Sequence, residues 1–559
     1  MIITDGQLSN LVLEKKIVDN KKLEDILSSA KNNDQSLADA LIDKEIISEE
    51  NLTKILAEYL KIKIANLSEI TLDLNLVSLI PEKVARKQKL IIFAQEKDAL
   101  KVAMVDPTDQ EIINLISQKT GKKIVPYLVA PRDLENSLKI YRKDIQNTFD
   151  LLLVGNSKLG AISEDTPVAK IADLLIEYAY QDKASDIHIE PEEKYCLIRF
   201  RLDGVLHDVL RLPKNLHERI VSRIKVLSKL RTDEHLSPQD GKMRLQLDRE
   251  NLDIRVSVVP VADGEKIVLR LLSSKSRQFS LQDLGMNPVD LQKVTRAFSK
   301  SFGMVLATGP TGSGKTTSIY SILKILNSRD KNITTIEDPV EYRIQGVNQI
   351  QVNPKTSLNF SNGLRSILRQ DPNIIFVGEI RDNDTAAIAV NAALTGHLVL
   401  STLHTNDAAT TIPRFIDMKV EPFLVASTIN IIIAQRLVRK ICHRCRQEIT
   451  VTVDELTKNL SAETITKNFG HQKTIKLFRG AGCDLCHHTG YYGRIGIYEV
   501  MEMNNKIRKL ISKKCDSETI LTEAINNGLT TMFEDGLQKC LQGLTTIEEI
   551  LRVTKTESL

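Results

Sequence analysis

The chain reads as an α/β protein built around a parallel-sheet unit, with a strand-rich α+β unit before it and a mostly helical unit at its start. Three observations carry this reading. Apolar strands alternate with amphipathic helices between residues 282 and 440, the pattern of a parallel sheet with crossover helices. Inside that stretch, "MVLATGPTGSGKTTSIYSILKIL" runs strand, glycine-rich loop, helix. Residues 1–60 repeat themselves with an offset of 29.

In the repeat, Leu8, Val12, Leu13, Ile17, Val18, Leu23, Ile26 and Leu27 recur as Leu37, Leu41, Ile42, Ile46, Ile47, Leu52, Ile55 and Leu56. Asp19 and Ser48 fall at matching places just before helical patterns, where N-caps belong. Two helical hairpins packed on each other are expected. Strand-like "LIIFAQ" (Leu90–Gln95) and "LKVAMV" (Leu100–Val105) follow, and the unit closes near residue 145. Residues 146–165 lose periodicity and collect Gly and Ser, as a linker does.

Residues 166–275 are rich in strands, with the apolar helix His217–Leu230 among them. "ASDIHIEP" puts Asp186, His188 and Glu190 on one face of a strand, which reads as a polar sheet face rather than a metal site. The unit at 282–440 holds the phosphate loop: Gly309, Pro310, Thr311, Gly312, Ser313, Gly314, Lys315, Thr316 and Thr317, matching G-x-x-x-x-G-K-[ST]. Glycines let backbone N–H groups turn onto phosphate oxygens, and the following helix N-terminus adds its dipole. Lys315 should reach the β- and γ-phosphates, with Thr316 on Mg²⁺.

Hydrolysis needs acids beside that loop. "TTIEDPVEY" places Glu337, Asp338 and Glu341 past one apolar strand, and "NIIFVGEIRD" places Glu379 past another. Strands of a parallel sheet present their carboxyl ends at one edge, so both clusters can face the γ-phosphate. His397 and His404 bracket a further strand, and His404 sits at the end that faces the nucleotide.

Cys442-x-x-Cys445 and Cys483-x-x-Cys486 form two knuckles separated by 37 residues, so residues 441–495 read as a Zn(Cys)₄ lobe with an insertion between its pairs. With all four positions filled by thiolates, that zinc would be structural. Arg436, Arg439, Lys440, His443, Arg444, His487 and His488 offset its formal −2 charge. Residues 496–559 are helical, with Gly543 ending one helix and Thr546/Glu549 spaced as a capping box for the last.

Composition excludes some classes. The 76 basic and 72 acidic side chains leave a net charge of +4, and aromatics are 4% with no Trp. A nucleic-acid motor would ordinarily be more basic and better supplied with stacking rings. No apolar run reaches the ~18 residues that cross a bilayer, and "MIITDGQLSN" is not built like a signal peptide. A cytosolic protein with reduced thiols is expected.

Residues 166–559 closely resemble the secretion ATPase superfamily that powers type IV pilus assembly and type II secretion. The motifs are "ASDIHIEP", "IRFRLDGVL", "GPTGSGKTT", "TIEDPVEY", "LRQDPNIIFVGEIRD", "TGHLVLSTLHTND", "IAQRLVRKIC", both cysteine pairs and "GRIGIYEV". The amino-terminal repeat is similar to the tandem N-terminal domain of the same family. The resemblance implies a homohexamer whose PAS-like middle domain packs on a RecA-like motor domain and which hydrolyses ATP with Mg²⁺. It makes Glu341 the catalytic carboxylate, Glu379 the Walker B acid, His404 part of a histidine box, and Arg201 and Arg223 sensors of the γ-phosphate.

The expected function is a motor on the cytoplasmic face of a bacterial inner membrane, peripheral rather than spanning. It would turn a membrane platform protein to extend type IV pili, with type II secretion as the alternative. Retraction motors of the superfamily resemble only the middle and motor parts, so the N-terminal domain and zinc lobe point to extension or secretion. Family domains that bind cyclic di-GMP open each repeat with Arg-Leu-Gly, whereas this chain has Gln7-Leu8-Ser9 and Ser36-Leu37-Ala38. Without that arginine, the natural phosphate clamp, docking of membrane-complex proteins is expected instead.

Overall fold

The computed structural model of the chain describes residues 3–141 except 16, 21, 22, 25, 28, 29, 31–35, 44, 45, 48, 68, 69 and 71, and then 149, 168–247, 251–272, 280–457, 465, 472 and 474–554. At the start, helices Asp5–Glu14, Leu37–Asp43 and Glu49–Leu60 share one core in which Leu8, Val12 and Val18 meet their repeat counterparts Leu37, Leu41 and Ile47. Thr4 and Gln7 form a capping box on the first helix. Asp19 stands where the next helical stretch begins, its carbonyl accepting from Leu23 N at 3.0 Å; Ser48 lies outside the described residues.

Strands β1 (Leu90–Glu96) and β2 (Ala99–Met104) pair antiparallel, as the two-residue turn of Lys97 and Asp98 between them requires. A third strand, β3 (Lys123–Leu128), was not foreseen; it joins β2 in parallel after the helix Gln110–Thr120. Of the expected linker only Phe149 is described, and it is fully buried in the core of the next unit.

That middle unit is a six-stranded antiparallel sheet made of β4 (Asp186–Pro191), β5 (Tyr195–Leu202), β6 (Val205–Pro213), β7 (Gln239–Gln246), β8 (Asn251–Val261) and β9 (Gly264–Leu272). Its order is β6-β5-β4-β9-β8-β7. Helices Val168–Gln181 and Lys214–Leu227 contribute to its core, where Ile171, Leu175, Ile220 and Ile224 meet Ile198, Phe200, Ile254 and Val256. Period-2 alternation along β8 sends Leu252, Ile254 and Val256 inward and Asp253, Arg255 and Ser257 to the opposite face.

The motor sheet has seven strands in the order β12-β11-β13-β14-β10-β15-β18. They are β10 (Gly303–Thr308), β11 (Ile333–Glu337), β12 (Asn348–Gln351), β13 (Ile374–Val377), β14 (Leu398–Leu403), β15 (Ile429–Ile441) and β18 (Tyr491–Glu502). All pairings are parallel except β15 with β18. Every residue of β10, β13 and β14 is buried, which is why these strands read as unbroken apolar runs.

The sheet extends beyond the 282–440 span. Its edge strand β18 follows the cysteine region, which is therefore an insertion at the tip of the β15–β18 hairpin. That insertion holds a two-stranded sheet, β16 (Arg446–Thr452) and β17 (Thr474–Gly480). Its small core is shared with the tail: Ile475 and Leu477 pack with Leu537, Cys540, Ile547 and Ile550. Gly543, at φ 71°, does end the helix Met532–Leu541. Of the expected capping box only half forms, Glu549 N to Thr546 Oγ1 at 3.4 Å. The Glu549 carboxylate instead takes Arg439 at 2.6 Å and Arg552 at 2.8 Å, tying the last helix to β15.

Candidate active site and metal centre

The phosphate loop joins β10 to the helix Lys315–Leu326, and Gly309, Gly312 and Gly314 take positive φ along it. Lys315 is buried, its Nζ donating to the carbonyls of Gly309 at 2.7 Å and Pro310 at 3.0 Å. Burial pushes its ammonium down to about 8; nearby Arg436 adds to the shift and Glu379 opposes it.

Strand order brings the sequence-predicted residues to one sheet edge. β13, β14 and β10 are neighbours, and just past their carboxyl ends stand Glu379, His404 and the loop. Glu379 is 9% exposed and lies 3.3 Å from His404 Nε2 and 2.6 Å from Arg381 Nε. Thr402 steadies the turn by donating to Gly378 O at 2.7 Å. Burial and the charge of Lys315 lower the His404 pKa against the pull of Glu379, which favours a neutral ring. The Glu379 carboxyl, the His404 ring and the Lys315 amine thus stand close enough at this edge to influence one another's charge.

Glu337, which ends β11, and Glu341 beyond it are placed differently. Glu337 is buried and spent on structure: Thr335 Oγ1 donates to it at 2.6 Å, Gln349 Nε2 at 3.1 Å, and the Tyr320 hydroxyl also bonds it. Burial raises its pKa. Tyr320 belongs to the helix after the phosphate loop, so Glu337 clamps that helix to the acid loop. Glu341 is more open and meets Arg255 of the middle unit at 3.2 Å. Arg255 also donates to Val340 O at 3.2 Å.

Arg255 was not foreseen. It belongs to a row of charges crossing five adjacent strands, Arg201, Asp186, Arg270, Arg255 and Lys242, each opposite the next in register. Asp186 takes Arg201 at 3.2 Å and Arg270 at 3.0 Å, giving the "ASDIHIEP" carboxylate an ion-pairing use. Glu190 is likewise held by Arg199 and Lys266, each at 2.7 Å. Arg201 donates further to Gly204 O at 3.2 Å, within its own unit. Arg223 sits on the helix Lys214–Leu227, in the layer on the other side of the sheet, and its buried Nε makes no hydrogen bond. Sheet alternation was the one signal that could have set Arg255 beside Arg201.

The four cysteines do come together. Sγ separations are 3.8 Å for Cys442–Cys483, 3.8 Å for Cys445–Cys486 and 3.7 Å for Cys483–Cys486. Thiolates ~2.3 Å from a tetrahedral zinc stand roughly 3.8 Å apart, so the donor set fits that ion. Backbone amides of Cys483 and Gly490 donate to Cys486 Sγ at 3.2 and 3.3 Å. The knuckle also touches the middle unit: His487 Nε2 is 3.2 Å from Asp182, and Gly493 N donates to Asp203 at 2.7 Å.

The chain matches the family model described as type II/IV secretion system protein over residues 161–552, and that of the MshEN domain over residues 60–144. It is 36% identical over 561 residues to the type IV pilus assembly ATPase PilB of Myxococcus xanthus, covering 98% of both chains. PilB of Pseudomonas aeruginosa is 37% identical over 565 residues with the same coverage. The type II secretion system protein E of Pectobacterium carotovorum is 40% identical over 501 residues, 87% of this chain and 98% of that one. Among solved structures, the Legionella pneumophila ATPase DotB shares the fold at a TM-score of 0.51 and 22% identity, over 69% of this chain and 96% of its own.

Proposed function

Because the chain belongs to the type II/IV secretion system protein family, we propose that this ATPase works as a homohexameric motor that drives type IV pilus assembly. The observation that carries the choice of process is coverage. Likeness to the two pilus assembly ATPases runs through 98% of the chain, N-terminal unit included, whereas the secretion relative aligns over 87%. Type II secretion remains the second reading on one specific ground: identity to a Pseudomonas aeruginosa secretion protein E reaches 45% over 394 residues.

Lys315 and the loop amides bind the phosphates; Thr316 and Glu379 would hold Mg²⁺, which would supply positive charge to offset that on the transferred phosphoryl group. Glu341 polarises the attacking water and His404 orients the Glu379 carboxylate. Arginines of the middle domain, Arg201, Arg223 and above all Arg255, report phosphate occupancy to that domain. Such a differential contact is what allows hydrolysis to move one domain against another. Zinc on the four cysteines is structural.

Among the described residues no helix is long and apolar enough to cross a membrane. The motor acts from the cytoplasmic face of the inner membrane on a platform protein, with its N-terminal domain docking membrane-complex proteins. Gln7 and Ser36 support docking over cyclic di-GMP. Gln7 is spent in the capping box with Thr4, and Ser36 on Asp39 at 2.6 Å, so neither repeat opens with a cationic clamp.

Electron microscopy of cells carrying Lys315→Ala at the native locus, with periplasm and medium protein profiles, tests the proposal. Bald cells with normal export are expected. Piliated cells with exoproteins stranded in the periplasm would assign the motor to type II secretion.

A further inference from the structure

Gln435, on β15, is 1% exposed and bridges that strand to the far end of the phosphate loop. Its Nε2 donates to the Ser313 carbonyl at 2.9 Å, and its Oε1 accepts from Ser318 Oγ at 2.9 Å. The Ser313 carbonyl, which can only accept, decides which way the amide faces; the Ser318 hydroxyl could serve either end. Turned over, Oε1 would confront the Ser313 carbonyl, acceptor against acceptor.

The first bond decides the direction of a peptide. In a trans peptide the C=O and the following N–H point opposite ways. Drawing the Ser313 carbonyl toward β15 therefore turns the Gly314 N–H away from that strand, toward the loop interior. The glycines fit the same neighbour: a Cβ on Gly309 would fall 2.5 Å from the Gln435 backbone oxygen, and one on Gly314 would fall 3.2 Å from Nε2.

We infer that Gln435 is a positioning residue for ATP hydrolysis, holding the Ser313–Gly314 peptide so that the Gly314 N–H faces the bound phosphates. Ser318 is its partner, holding the oxygen end of the amide in place. Substrate is not touched by either side chain. The inference rests on the nucleotide-binding part of the proposed function and is independent of which filament the motor builds.

The test is steady-state phosphate release by full-length protein, with melting curves recorded with and without MgATP. Gln435→Glu keeps the shape and the acceptor for Ser318 but sets a carboxylate oxygen against the Ser313 carbonyl. Its KM for ATP is expected to rise roughly 10-fold while kcat stays within about 3-fold. The buried charge should lower its nucleotide-free melting temperature, and the upward shift with MgATP should shrink. Ser318→Ala, which removes the partner at the oxygen end of the amide and loosens its hold, should raise KM by roughly 3-fold. Wild-type KM and MgATP shift in both variants would overturn the inference. So would a lowered nucleotide-free melting temperature with KM unchanged, the mark of a purely structural contact. An inactive wild type would sink the proposed function instead, and the MgATP shifts would still judge Gln435.

Discussion

Arg255 and Glu341 stand 3.2 Å apart across the boundary between the middle and motor domains. Both are partly exposed, so the pair adds little stability of its own. Its interest is positional: one guanidinium nitrogen of the middle domain reaches both the Glu341 carboxylate and the Val340 carbonyl of the motor domain. Glu341→Gln should lower kcat by about 10²- to 10⁴-fold, the usual worth of a positioned acid–base group, with ATP binding retained. Arg255→Ala should cost roughly 10-fold in kcat. Phosphate release alongside equilibrium ATP binding measures both. Turnover by Glu341→Gln at the wild-type rate would remove this carboxylate from the chemistry.

The lowered Lys315 predicts a pH profile. An ordinary lysine keeps its proton to about pH 10, whereas burial brings this one to about 8. Phosphate binds the charged form. In free enzyme, kcat/KM for ATP should therefore be level below pH about 8 and fall as pH rises through it. At saturation the bound phosphate favours the charged lysine, so kcat itself should fall later. A kcat/KM that stays flat to about pH 10 would contradict the assignment.

Metal removal should loosen more than the lobe. The thiolate cluster sits beside His487 and Gly493, which hold Asp182 and Asp203 of the middle domain. Metal analysis should find about one zinc per chain, and close to none in Cys442→Ser/Cys483→Ser. Hydrogen exchange on the metal-free protein should speed up in residues 202–205 as well as in the knuckles. Exchange confined to the knuckles would mean that the domain contact does not depend on zinc.

What could be read in the sequence follows how far each signal travels along the chain. The phosphate loop, each cysteine knuckle and the offset-29 repeat are local spacings, and the structure gathers them as expected. Arg255 with Glu341 and Gln435 with Ser313 are meetings across 86 and 122 residues, made by strand order. Nothing near Gln435 in the sequence separates it from any buried strand residue. β18 escaped the motor unit for the same reason, since its partner β15 lies on the far side of the cysteine insertion. Glu337 was grouped with Glu341 because they are close in sequence, yet burial gives the two acids opposite roles.

Gly480 supplies the sharpest test of the metal centre that leaves every ligand in place. It closes β17, and a Cβ there would fall 2.0 Å from the Gly490 carbonyl oxygen and 2.5 Å from its Cα. Backbone cannot swing aside as a side-chain tip can. Gly490 accepts from Cys442 N at 2.9 Å and donates to Cys486 Sγ at 3.3 Å, so any displacement reaches both knuckles. Gly480→Ala should therefore weaken zinc by about 10- to 100-fold, the range for losing support around a metal ligand, measured by competition with a chromophoric chelator. Gly493→Ala is no control, since its φ is 78°; Ser427→Ala, remote from the lobe, should bind zinc as wild type does. Unchanged affinity in Gly480→Ala would show that the two knuckles keep their geometry without the close approach of Gly480 to Gly490.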